Sequence, residues 1–215
     1  MQRCLHLATL GAGNVAPNPM VGAVLVYTGK IIGEGYHQQY GGPHAEVNCI
    51  NSVAEADKDL IEKSTLYVSL EPCSHFGKTP PCTNLVITNK IPEVVIGCRD
   101  SFAAVDARLN DVVGQGNGIE RLMADGIQVR VGILEKECRE LNKRFFTFHE
   151  KHRPYIILKW AQSSDGKIAP LNPPKGGSLE HENPKRLMIS NEFTNRLVHK
   201  WRTEEAAILV GTNTA

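Results

Sequence analysis

Pro43-His44-Ala45-Glu46-Val47, continued by Thr65-Leu66-Tyr67-Val68-Ser69-Leu70-Glu71-Pro72-Cys73 and closed by Pro80-Pro81-Cys82, decides the reading of this chain. TLYVSL is rich in β-branched and aromatic residues and reads as a strand. On either side of it the chain signals a helix start. Gly41-Gly42-Pro43 precedes the run AEVNCINSVAEA, and Thr79-Pro80-Pro81 precedes TNLVITNK, with proline favoured at the first helical position. His44 and Cys82 are therefore expected in first helical turns and Cys73 at the end of a strand. That is where the carboxyl edge of an open α/β sheet collects ligands. The positive end of a helix dipole, roughly half an elementary charge, is expected to favour the thiolate of Cys82.

One imidazole and two thiols suit zinc, and a catalytic zinc site needs three protein ligands with the fourth position left for water. Glu46, two residues after His44, reaches that region without having to be a ligand. A water activated by the ion near neutral pH could attack a ring carbon bearing an amine, with Glu46 carrying the proton to the departing nitrogen. His-x-Glu followed by Pro-Cys-x-x-Cys is the signature of zinc deaminases. Here eight residues, Ser74 to Pro81, separate the two cysteines instead of two. A closed structural zinc site is the competing reading, with His75 as the nearby fourth ligand. Cys4, Cys49, Cys98 and Cys138 read as small buried apolar residues.

Composition narrows the class. With 215 residues and 41% hydrophobic content the chain can bury one good core and part of a second. Six cysteines without short-range pairing, and no charged-then-apolar leader, point to a reducing cytoplasm and a soluble protein. No apolar run approaches the ~20 residues that span a bilayer. The 24 basic and 23 acidic residues give a net charge of +1, which argues against nucleic acid as a partner.

A helix is expected over about 2–11, then a hairpin of VGAVLVY and IIGEGYH around Thr28-Gly29-Lys30. The strand EVVIGC, a helix over about 117–125 and the strand IQVRVG follow the Cys82 helix, giving one α/β layered domain with a mixed sheet over residues 1–150. LEKECRELNKRFFTFHEK, from Leu134 to Lys151, reads as helical. Residues 151–215 form a different module. PYIILKWA is expected as a buried strand, a helix runs from about Asn191 to Arg202, and AAILVG is expected as a second strand. Two strands and a helix do not close a core, so the chain is expected to be a fragment of a longer polypeptide. Gly211-Thr212-Asn213-Thr214 after a strand could turn its amides toward a phosphate.

Four further motifs carry a family resemblance. Pro17-Asn18-Pro19-x-Val21-Gly22, Gly33-Glu34-Gly35-Tyr36-His37, His44-Ala45-Glu46-Val47 and Leu70-Glu71-Pro72-Cys73-Ser74-His75-x-Gly77-Lys78-Thr79-Pro80-Pro81-Cys82 resemble the bifunctional riboflavin-biosynthesis deaminase/reductase family. Leu158-Lys159-x-Ala161-x-Ser163-x-Asp165-Gly166 and Leu209-Val210-Gly211-Thr212-x-Thr214 resemble the opening part of its reductase domain. The resemblance implies a cytidine-deaminase-like three-layer α/β/α domain followed by an incomplete dihydrofolate-reductase-like segment. It implies hydrolytic deamination of a diaminopyrimidinone ribosylamino 5′-phosphate, with zinc on His44, Cys73 and Cys82 and Glu46 as proton shuttle. Asn18, His37, Ser74, His75 and Lys78 would contact that pyrimidine nucleotide, Lys78 as a point charge for phosphate. NADPH would then reduce the ribosyl group, with Gln162, Met188 and Thr214 on the dinucleotide and Arg202 on the substrate phosphate. Related folds often associate into homo-oligomers.

Two positions depart from the family pattern. Met188-Ile189-Ser190 stands where Trp-Ile-Thr is typical, and Asp100-Ser101-Phe102-Ala103 stands where Asp-Pro-Asn-Pro is usual, so Phe102 cannot supply a polar substrate contact. The 215-residue chain is expected not to turn over NADPH. A nucleoside or transfer-RNA deaminase would share His-x-Glu but usually has the shorter Cys-x-x-Cys. A zinc-stabilised interaction module would not need Glu46, and a nucleotide-binding protein without turnover could lose it.

Overall fold

The structure, a computed structural model, describes residues 1–74, 80–101, 118–168 and 189–211. His75, Lys78, Phe102, Met188 and Thr214 lie outside the described residues. The chain divides into two compact units, Met1–Tyr155 and Ile156–Ala215.

In the first unit the described elements run α1 (Gln2–Thr9), β1 (Gly22–Tyr27), β2 (Lys30–Tyr36), α2 (Ala45–Asn51), a 3-10 helix (Glu55–Lys63), β3 (Thr65–Leu70), α3 (Cys82–Thr88), β4 (Glu93–Cys98), α4 (Gly118–Ala124), β5 (Gln128–Val131), α5 (Glu135–Leu141) and α6 (Lys143–Lys151). The sheet order is β2-β1-β3-β4-β5. β1 is antiparallel to both β2 and β3, whereas β3, β4 and β5 are parallel, so the sheet is mixed. The β1–β2 hairpin closes through Thr28 and Gly29, both at positive φ (45° and 83°), the pair of left-handed residues that a two-residue type I′ turn requires.

Alternation along the strands sorts side chains to two faces. Ala23 and Leu25 of β1, Leu66 and Val68 of β3, and Val94 and Ile96 of β4 join Ala45 and Cys49 of α2, Val86 of α3 and Leu122 of α4 in one core cluster. Val24 of β1 points the other way, to Cys4 and Leu7 of α1. Cys98, Cys138 and Phe146 form a further cluster with Leu5 and Leu70. Helices thus cover both faces, a three-layer α/β/α arrangement. Burying each of Leu25, Leu66 and Ile96 in full is worth about 1.5–3 kcal/mol.

One glycine sets how closely α2 lies on the sheet. A Cβ on Gly35 would stand 2.2 Å from the backbone nitrogen of Cys49 and 2.5 Å from the carbonyl oxygen of Ala45. Only a residue without a side chain lets α2, and with it His44 and Glu46, approach β2 this closely.

The helix after His44 is shorter than its sequence run predicts, ending at Asn51. Ser52 explains the stop: its hydroxyl donates to Cys49 O (2.7 Å) and accepts from Glu34 N (2.8 Å), giving the backbone a side-chain alternative to another helical turn. The segment expected as one helix over 134–151 is two, α5 and α6, meeting at Asn142 with φ −106° and ψ 28°.

In the second unit, α7 (Glu192–Thr203) starts where expected, with Asn191 as N-cap accepting from Thr194 N at 2.9 Å. The two expected strands are not formed. The PYIILKWA and AAILVG runs are irregular, and Leu158, Trp160, Ile208 and Leu209 are exposed, Leu209 fully. A strand is stabilised by its ladder partners and by a face to bury, and among the described residues these runs have neither. No helix among the described residues is long and apolar enough to cross a membrane.

Candidate metal centre

Three ligand atoms converge at the carboxyl end of β3. His44 is the N-cap of α2, with extended φ −72° and ψ 167°, rather than a residue of its first turn. Cys82 is the first residue of α3, after Pro81 at the cap, and Cys73 lies just past β3. His44 Nδ1 stands 3.5 Å from Cys73 Sγ and 3.3 Å from Cys82 Sγ, and the three ligand atoms all lie within 4.8 Å of one another. The Cys82 N–H donates to Cys73 Sγ at 3.3 Å, and Thr83 N donates to Cys73 O at 3.1 Å.

These groups polarise one another. The Cys73 thiol is brought down, first by the hydrogen bond from the Cys82 thiol and, against the effect of burial, by those from His44 and the Cys82 N–H. Cys82 is pushed up by donating to Cys73 and by burial, and the bond to Cys73 raises His44. The first N–H of α3 is aimed at Cys73 Sγ, so the helix terminus that carries Cys82 also faces its neighbour's sulfur.

Two sulfurs and one imidazole nitrogen in a half-buried cluster are the donor set of a zinc site with a position left open. The shared proton that holds Cys82 up is what a divalent cation displaces. The described residues fit zinc on this chemistry.

Glu46 is 3% exposed. Burial raises its pKa above the ordinary carboxylate range, the nearby Cys73 charge adds to the rise, and a hydrogen bond with Cys82 opposes it. It is not one of the converging ligand atoms. A buried carboxyl held beside a three-ligand cluster, and outside it, is placed to take and return a proton.

Asn18 and His37 come to the same place. The His37 ring meets His44 edge-on, with centroids 5.6 Å apart and planes at 77°. His37 Nδ1 lies 3.0 Å from Pro43 O, and because a carbonyl only accepts, Nδ1 carries the proton. Burial and then the adjacent His44 lower the His37 pKa, against that bond, favouring a neutral ring. Nε2 is thus an acceptor, and Asn18 Nδ2 donates to it at 3.1 Å. Ser74 is half-buried directly after Cys73.

Arg202 and Gln162 belong to the second unit. Arg202 is exposed in the last turn of α7, and Gln162 accepts from Trp160 Nε1 at 3.0 Å. Glu71 and Asn142 are among the buried polar side chains of the first unit that the sequence does not single out. Glu71 accepts from Asp100 N at 3.2 Å and ties the end of β3 to the chain after β4; its place before Pro72-Cys73 was the available signal. For Asn142, nothing in its polar surroundings singles it out.

Residues 1–98 match the family described as the cytidine and deoxycytidylate deaminase zinc-binding region. Fold and site together define a zinc-dependent deaminase. The riboflavin biosynthesis protein RibD of Aquifex aeolicus is 44% identical over 214 residues, which are 100% of this chain and 53% of that protein. A Thermotoga maritima structure described as a diaminohydroxyphosphoribosylaminopyrimidine deaminase/5-amino-6-(5-phosphoribosylamino)uracil reductase superposes with a TM-score of 0.75 at 44% identity, covering 94% of this chain and 51% of that one. Acinetobacter baumannii RibD superposes with a TM-score of 0.76 at 32% identity, over 94% of this chain and 50% of that one. The chain is similar over its whole length to these RibD proteins of riboflavin biosynthesis, and it spans about half the length of the curated relatives it matches.

Proposed function

We propose that the chain deaminates a diaminopyrimidinone ribosylamino 5′-phosphate, replacing the ring amine by oxygen. The reading rests on one observation: His44, Cys73 and Cys82 converge while Glu46, buried beside them, stays outside the ligand set. Zinc held by those three residues supplies Lewis acidity that brings a water's pKa toward neutrality. Glu46 takes a proton on its carboxylate and returns it to the leaving nitrogen. Its buried place beside the ligands, outside the ligand set, suits that double role.

Asn18 and His37 orient the pyrimidine, and the fixed tautomer of His37 keeps Asn18's carboxamide in one orientation. Ser74, His75 and Lys78 are assigned to the ribose phosphate. One relative pairs a deaminase with a reductase, which supports a second, reductive step in the whole protein, for which NADPH is the proposed hydride donor. Gln162, Met188 and Thr214 are assigned to the dinucleotide and Arg202 to the phosphate in that step. Residues 1–150 then form the deaminase domain and 151–215 the start of the reductase domain.

The test is metal analysis of the purified chain followed by ammonia release across pyrimidine nucleotides. One zinc per chain with ammonia from the diaminopyrimidinone phosphate is expected. Full zinc without ammonia from any pyrimidine would overturn the assignment in favour of a structural zinc module.

A further inference from the structure

We infer that Asn142, at the junction of α5 and α6, is a positioning residue that sets the Asn18–His37 pair for the reaction; the functional part of this inference rests on the deaminase reading above. Asn142 is 4% exposed, and both ends of its carboxamide are hydrogen-bonded. Its Oδ1 accepts from Met20 N and its Nδ2 donates to Met20 O, both at 2.8 Å. One carboxamide thus satisfies both polar groups of a single residue 122 positions away in the chain.

Met20 lies in a segment without regular secondary structure, between α1 and β1. Such a segment has no ladder or helix to fix it, so its backbone groups must find partners elsewhere. Two residues before Met20, Asn18 donates to His37 Nε2; one residue after it, Val21 O accepts from His37 N at 2.9 Å. The Asn142 clamp therefore sits between the two bonds that join this segment to His37. His37 in turn meets His44.

Sequence places Asn142 far from the metal cluster, and it touches no ligand. Its effect passes through the Met20 peptide, Asn18 and His37. The break between α5 and α6 follows from the same contact, because Asn142 at the hinge presents its carboxamide to Met20 while its own carbonyl starts α6 through Phe146 N (3.0 Å).

Asn142→Asp is the discriminating change. It keeps the shape and the bond to Met20 N–H, but sets a carboxylate oxygen against Met20 O. A buried acceptor left without its donor is worth on the order of a 10- to 100-fold effect. Comparison is with Phe146→Leu, which loosens the same packing and leaves the clamp intact. In the aspartate variant we expect full zinc content, a KM for the nucleotide raised on the order of 10-fold or more, and a displaced His37 Nε2 resonance in imidazole ¹⁵N spectra. In Phe146→Leu we expect a lower melting temperature with KM and the His37 resonance unmoved. Should the aspartate variant fail to fold, Asn142→Ser, which cannot span both Met20 groups, carries the same comparison. A His37 resonance and KM that match those of Phe146→Leu would overturn the inference. The His37 resonance is read without substrate, so a wild-type chain that releases no ammonia would overturn the deaminase reading and leave the clamp itself still tested.

Discussion

Glu46→Gln separates metal binding from chemistry more sharply than any other change in this chain. Glutamine has nearly the same volume, so at a site 3% exposed it opens no cavity and imposes no overpacking. His44, Cys73 and Cys82 keep their mutual approach within 4.8 Å, and zinc content stays at one per chain. What is lost is the group that accepts and returns a proton. Positioned acid–base catalysis contributes about 10²–10⁴-fold, which at 1.36 kcal/mol per tenfold is about 3–5.5 kcal/mol of barrier. Ammonia release at saturating nucleotide should fall by that factor, read as kcat. The same variant carries a second check in the metal-free protein. Burial raises the Glu46 pKa, so the folded chain binds this proton more tightly than the unfolded chain does. The stability it contributes is fully present below the unfolded value of about 4.3 and is lost as pH rises through the raised folded value. Glutamine does not titrate, so the glutamine variant should gain in melting temperature relative to wild type as pH rises through that window. Wild-type turnover in the variant, or loss of its zinc, would refute the proton-shuttle argument.

Other expectations follow from the same geometry. His44→Ala removes one of three ligands, so zinc content should fall well below one per chain and ammonia release with it; full occupancy by elemental analysis would contradict the ligand assignment. Chelation should lower the melting temperature and zinc should restore it, by about 2.7 kcal/mol at a free zinc concentration 100 times its Kd. Gly35→Ala drives a Cβ to 2.2 Å from Cys49 N, and the forced shift of α2 should cost about 1–3 kcal/mol in denaturant unfolding. An unchanged midpoint there would mean that α2 is not set by this contact. The 215-residue chain should not oxidise NADPH, because neither strand-like run of its second unit is in a sheet and Leu209 is fully exposed. NADPH consumption by this chain would contradict that.

Much of the first unit was legible because local signals and tertiary demands agree there. TLYVSL and EVVIGC are strands over the residues quoted from the sequence, and Thr28-Gly29 makes the hairpin turn that its composition announces. The metal cluster was legible for a related reason: His, Cys and Cys beside helix-starting prolines carry chemistry that few other arrangements use. What escaped depends on distant contacts. Ser52 ends α2 by bonding to Glu34 N, and Asn142 breaks a helical run by bonding to Met20, neither of which a local pattern reveals. PYIILKWA has the composition of a buried strand, but composition names a preference and a ladder needs a neighbour. That the first N–H of α3 faces Cys73 Sγ is likewise a contact no local pattern announces.

The most direct test of the account is ammonia release by the zinc-loaded chain with three substrates in parallel: the diaminopyrimidinone ribosylamino 5′-phosphate, cytidine and deoxycytidine monophosphate. The account predicts stoichiometric ammonia from the first and none above background from the other two. Turnover of cytidine or deoxycytidine monophosphate without turnover of the diaminopyrimidinone phosphate would contradict it.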